Sequence, residues 1–197
     1  MKKKILAGVL ACILLIGVGV GGTLAWLTAQ TNDVVNTFTV GDINIELDET
    51  GAVNNAKEYD FVPGDVHSKD PYVTVNANSE ACWVFVKVTE TNNTATDLTG
   101  KVINWSVASG WNQVADQNVW YKAVAATTAD SEPMYILAGD TEYPNGCVTV
   151  NTGVTKAMVE GLKENEPTLT FDAYAHQSDN TTVDVAIAAA LAHWGLN

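Results

Sequence analysis

Apolar and polar residues alternate with a period of two at several places along the chain. Ile43, Ile45 and Leu47 alternate with Asn44 and Glu46, and Val73 and Val75 alternate with Tyr72, Thr74 and Asn76. A period of two puts one set of side chains on each face of a strand, so these segments predict half-buried β-strands. Residues 82–88 (Cys82, Trp83, Val84, Phe85, Val86, Lys87, Val88) are apolar on nearly both faces. That is the pattern of a strand in the middle of a sheet covered on both sides. Residues 102–107, 118–125, 134–138 and 147–150 are further candidates, and Leu169, Phe171, Ala173 and Ala175 alternate with Thr170, Asp172, Tyr174 and His176. About eight strands are expected.

Turn chemistry separates these runs at Thr50-Gly51, Pro63-Gly64-Asp65, Thr99-Gly100, Ser109-Gly110, Gly139-Asp140 and Asn145-Gly146. Proline pre-sets one dihedral and glycine accepts a positive one, so Pro63-Gly64 predicts a type II turn. Many short strands with such spacing predict a mainly β fold, an antiparallel sandwich forming one domain over residues 26–197. Two segments have helical spacing. Val154, Met158 and Leu162 fall four apart around Gly161, and Val183, Ile187, Ala190, Leu191 and Trp194 share one face of a C-terminal helix over 181–195. Thr181 is its expected cap, with Asp184 three residues on and Gly195 after the last turn.

The first residues follow a different rule. Lys2, Lys3 and Lys4 precede an uncharged stretch from Ile5 to Leu27 that ends in small residues. This order is that of an export signal spanning residues 1–25. Thr23-Leu24-Ala25 suits a signal-peptidase pocket and places the cut between Ala25 and Trp26. The competing reading is a retained anchor, because the uncharged run is long enough to cross roughly 30 Å of hydrocarbon. Gly17, Gly19, Gly21 and Gly22 loosen its end and favour cleavage. Either way the lysines stay inside and the rest is exported, with membrane contact only through an uncleaved leader. Cys12 follows Val9-Leu10-Ala11, a poor match to a lipidation site.

The chain of 197 residues has ten lysines, no arginine and 23 acidic residues, for a net charge of −13. Without the leader, seven lysines face the same 23 acids and the charge is −16. Such a surface disfavours nucleic acid, which requires neutralisation of its phosphates. It keeps monomers apart in solution and responds to salt.

Candidate chemistry is sparse. No HExxH helix, nucleotide-binding glycine loop or GxSxG elbow is present, so no catalytic or cofactor-binding set is expected. His67, with Asp65 and Asp70, is the one place where metal-ligating residues gather in sequence, and solvated carboxylates beside a turn are the plainer explanation. His176 and His193 lie far from it. Asn92, Asn104 and Asn180 begin Asn-x-Ser/Thr triplets expected by chance in an Asn- and Thr-rich chain. Six tryptophans, Trp26, Trp83, Trp105, Trp111, Trp120 and Trp194, invite a glycan platform. Most fall in strand candidates where core packing is the ordinary role, and Trp111, after Ser109-Gly110, is the one expected to be exposed. After cleavage Cys82 and Cys147 are the thiols that remain. Either they pair, stabilising by roughly 4 kcal/mol in the chain-entropy model, or Cys82 packs as a small apolar side chain and Cys147 stays free. Export permits the bridge.

Several of these segments together resemble a known family. The lysines and glycine-rich apolar run, GGTLAW at 21–26, NTFTVGDINIEL at 36–47, the Pro63-Gly64-Asp65 turn, VNANSEACWVFVKV at 75–88 and AYAHQ at 173–177 occur in the order seen in the TasA/camelysin family of Gram-positive exported proteins. The resemblance implies a jelly-roll-like sandwich, processing by a signal peptidase of the SipW type, and a secreted matrix or cell-surface protein. It also implies self-association into biofilm fibres, alone or with related matrix proteins. In such fibres each subunit lends an N-terminal segment to its neighbour. Here that segment is residues 26–36, with Trp26, Leu27, Val34 and Val35 filling a groove and Asn32 and Asp33 at a hinge. The alternative is that the segment folds back as the first strand of its own domain. Fibre proteins of this kind are usually lysine-rich as well as acidic, and this chain is lysine-poor, which leaves room for an accessory or cell-bound member. A cell-surface binding module for glycan or protein is the rival function. Camelysin is described as a metalloprotease, and no metal-ligand pattern here matches that activity.

Overall fold

The computed structural model describes residues 42–53 and 58–196. The leader, the Ala25/Trp26 junction, Cys12 and the segment carrying Trp26, Leu27, Val34 and Val35 lie outside the described residues.

The described chain is mainly β, with antiparallel sheets. Ten strands occur: β1 (Ile45–Glu49), β2 (Val66–Ser68), β3 (Pro71–Val75), β4 (Cys82–Thr91), β5 (Ile103–Asn104), β6 (Asn112–Gln113), β7 (Val119–Val124), β8 (Met134–Tyr135), β9 (Cys147–Val150) and β10 (Thr168–Gln177). Two short helices join them, α1 (Lys156–Leu162) and α2 (Val183–His193). The strands form a four-stranded sheet in the order β10-β4-β7-β6 and two three-stranded sheets, β1-β3-β8 and β2-β9-β5.

β4 explains the layering. Its alternate residues Cys82, Val84, Val86 and Val88 enter one core with Val73, Val75 and Met134 of the β1-β3-β8 sheet and Val148 of the β2-β9-β5 sheet. The other set, Trp83 and Phe85, packs with Val114, Val119 and Tyr121 against Ala186 and Ala190 of α2. A strand that is apolar on both faces is therefore buried on both, by sheets on one side and a helix on the other. β10 pairs with β4 along its whole length, from Thr168 opposite Thr91 to Gln177 opposite Cys82. Its Leu169, Phe171 and Ala173 join the first core, and Tyr174 joins the second.

The helix is locked on by its aromatic end. His193 stacks on Tyr174 with ring centroids 4.7 Å apart, and the Trp194 indole N–H donates to Asp172 Oδ2 at 2.8 Å. Lys87 Nζ sits 5.4 Å from the Trp194 ring centroid, within reach of a cation–π attraction. A third, smaller core of Val102, Val150 and Val154 lies under Met158, Val159 and Leu162 of α1.

Several expectations need correction. The cap of α2 is Thr182, whose extended backbone lets its side chain accept from Val185 N–H, while Thr181 N–H belongs to a turn with Ser178 O. The strand expected over 102–107 shortens to Ile103–Asn104, with an isolated bridge from Val107 to Leu137. The Asn93 side chain brackets Ile103 there, accepting from its N–H and donating to its carbonyl, so side-chain hydrogen bonds replace part of a ladder. The 134–138 strand likewise pairs regularly only over Met134–Tyr135. β2 and β6 have no counterpart among the strands expected from the alternation. Trp111 is half-buried, and its indole N–H donates to Tyr135 O at 2.9 Å. The type II turn is as expected: Gly64 has φ +88° and Asp65 N–H donates to Val62 O.

Candidate functional site

β1 stands at one end of its sheet order and β10 at the end of another. Leu47, Asp48 and Glu49 of β1 and residues 168–171 of β10 line the same groove, of about 770 Å³. Its apolar surface comes from Leu47, Ile103, Val148, Leu162, Leu169 and Phe171. Among the described residues each of these two strands has a single strand neighbour, β3 for β1 and β4 for β10.

The period of β1 explains the polar end of this groove. Ile45, Leu47 and Glu49 lie on one face, so the alternation that buries two aliphatic side chains also carries a carboxylate inward. A carboxylate so placed needs partners. Lys69 Nζ lies 2.9 Å from Glu49 Oε2, and the Tyr59 hydroxyl donates to Oε1 at 2.7 Å. The Lys69 side chain is 10% exposed and that of Glu49 13%. The ammonium is 5.5 Å from the Tyr59 ring centroid and 5.4 Å from that of Phe171. Burial, then the hydrogen bond and charge of Glu49, then the charge of Asp70, push the Tyr59 phenol far above its ordinary range. The rim is acidic, with Asp48, Glu58, Asp60 and Glu166, while Lys163 pairs with Glu160 at 2.7 Å.

The residues singled out from the sequence do not converge. Asp65 is exposed at the turn, His67 is half-buried on β2 with its ring 5.5 Å from that of Tyr59, and Asp70 is buried. His67 Nε2 and Asp70 Oδ1 are shielded from solvent without a hydrogen-bond partner. Among the described residues no three His, Cys, Asp or Glu side chains come together as metal ligands. The donor set around His67 therefore does not fit a catalytic metal, and no hydrolytic step follows from it.

Cys82 and Cys147 are both free. Cys82 fills the core, where burial pushes its thiol up to about 11, and the Cys147 thiol is also raised by burial and donates to Ala138 O. Neither is poised as a nucleophile, which needs the thiolate. Of the five described tryptophans Trp120 is buried and the other four are half-buried.

Glu90 is a second carboxylate with a built environment. Burial opposes its charge, but donation from Lys101, Trp105 and Asn93 and the Lys101 charge outweigh burial and hold it below the ordinary glutamate range. A carboxyl depressed by folding contributes stability above its unfolded pKa and loses it as pH falls through the folded value. Unfolding measured from pH 6 downward is expected to show Glu90→Gln losing stability less steeply than the parent below about pH 4.5. Parallel curves would show that the Glu90 carboxylate adds no stability of this kind.

With fold and groove in place, the sequence supplies the class. The chain matches the family described as camelysin metallo-endopeptidase over residues 1–133, and it belongs to that family. No curated protein and no solved structure matches it significantly. The matched region supplies the β1 wall of the groove, while β10 and α1 lie beyond it. Among the described residues no helix is long and apolar enough to cross a membrane.

Proposed function

We propose that this chain is an exported structural subunit of a cell-surface or matrix fibre, assembling by strand addition between copies. The observation that carries this reading is the partly apolar groove lined by β1 and β10, two strands that each end a sheet order among the described residues. An extended peptide laid there satisfies backbone groups at the edges and places alternate side chains in the trough. Residues 26–36 of a second copy supply Trp26, Leu27, Val34 and Val35 for it, with the hinge at Asn32 and Asp33. Removal of the leader by a signal peptidase precedes assembly. The −16 charge opposes contact between copies, so assembly is expected to quicken with salt.

The test compares chains starting at Trp26 and at Asp42, by light scattering and electron microscopy. Filaments are expected from the first and none from the second. Equal filament yield removes strand donation.

The family description favours one other reading, a metal-dependent endopeptidase. Chelator-sensitive casein cleavage that co-purifies with the pure chain would establish it, and its absence would leave the structural role standing.

A further inference from the structure

The Lys69–Glu49 pair differs from the other ion pairs among the described residues. Both side chains of Lys163–Glu160 are more than half exposed, and so is the lysine of Lys101–Glu90. Lys69 and Glu49 are 10% and 13% exposed, with Nζ 2.9 Å from Oε2. Each end is held separately. The Tyr59 hydroxyl fixes Oε1 at 2.7 Å, and the rings of Tyr59 and Phe171 flank the nitrogen. The nitrogen is thus one hydrogen bond from the carboxyl carbon's own oxygen.

Two ions withdrawn from water are costly to keep as ions. The forms of these two groups that react with one another are an amine and a carboxylic acid. Those are the partners of an amide condensation. Holding them in contact replaces a bimolecular encounter with a high effective concentration.

We propose that Lys69 and Glu49 condense into an intramolecular amide bond. Lys69 Nζ passes a proton to Glu49 Oε2, and its freed lone pair forms the bond to Glu49 Cδ. The carbonyl π pair moves onto Oε1, where the Tyr59 O–H already donates and stabilises the oxyanion. A second proton passes from Nζ to Oε2. The Cδ–Oε2 bond then breaks with its electron pair on oxygen, Oε2 departs as water, and the pair on Oε1 restores the carbonyl. Nothing is oxidised or reduced and no activated donor is consumed. The product replaces two buried charges with a neutral amide whose carbonyl still accepts from Tyr59. It ties the last residue of β1 to the residue two before β3, a cross-link independent of both thiols.

The test is intact mass of the purified protein, wild type beside Lys69→Arg and Tyr59→Phe, followed by protease digestion and peptide mapping. The wild type is expected one water below its sequence mass, with a branched peptide joining Glu49 to Lys69. Lys69→Arg is expected at its full sequence mass, and Tyr59→Phe to lose water more slowly by roughly tenfold or more. A wild-type chain still at full mass after prolonged incubation at neutral pH overturns the proposal. So does a water deficit shared by Lys69→Arg, which would place the dehydration elsewhere. Both readings rest first on the wild-type chain, whose folding no substitution disturbs.

Discussion

Phe85→Ala is expected to destabilise the protein by about 3–5 kcal/mol, the range for a fully buried phenylalanine. Phe85 is 0% exposed at the centre of β4, on the face turned to α2. Its ring lies 5.8 Å from that of Tyr121 and 6.3 Å from that of Tyr174, and Ala186 and Ala190 close over the same cluster. Small helix residues fit there because a large aromatic ring fills the space from the sheet side. Removing the ring leaves a cavity between the sheet and α2. Urea unfolding with an unchanged m-value checks it. In a domain of this size the melting temperature is expected to fall by roughly 10 °C. A loss below about 1 kcal/mol would mean that α2 is not seated on this face.

Gly146→Ala is expected to cost on the order of 3 kcal/mol, for a different reason. Gly146 has φ +145°, and a Cβ there would stand 2.3 Å from Lys69 O and 3.3 Å from Asp70 Cα. The two segments are already in direct register, since Lys69 N–H donates to Gly146 O at 3.1 Å. Backbone on backbone cannot yield as a flexible side chain can, so the turn before β9 must move off the segment entering β3. Gly161 is the control: it lies in α1, a methyl there would meet nothing within 4 Å, and alanine is expected to be neutral or stabilising by up to about 1 kcal/mol. Comparable effects at the two positions would contradict the close approach at Gly146.

How far the fold is legible in the sequence depends on where each element finds its partners. β4 and β10 are readable because their burial is written in their own alternation. β4 carries two apolar faces and β10 carries Leu169, Phe171 and Ala173 on one. The face of α2 is readable for the same reason, though its cap slips by one residue between two adjacent threonines. β2 and β6 are not readable. Val66–Ser68 is three residues long and partly polar, and Asn112–Gln113 is two exposed polar residues. Both are strands only because β9 and β7 lie beside them, a fact of tertiary packing. Trp111 follows a turn and still goes inward, because the Tyr135 carbonyl is there to receive its indole N–H.

The groove is the least legible part. Its walls come from residues near 48, 60, 103, 148, 160 and 170, which no local window unites. One local signal does exist: continuing the alternation of Ile45 and Leu47 by one step puts Glu49 on the inward face, which calls for a cation. That the cation is Lys69, twenty residues on, follows only from the pairing of β1 with β3.

The proposed strand donation puts residues 26–36 of another copy in the groove lined by β1 and β10. The most direct measurement mixes nitrogen-14 and nitrogen-15 chains, each with a photoreactive residue in place of Val35, lets them assemble, and irradiates and digests the product. Strand donation predicts cross-linked peptides joining position 35 of one isotope to β1 or β10 of the other. Cross-links confined to chains of a single isotope would show the segment folded into its own domain and would contradict strand donation.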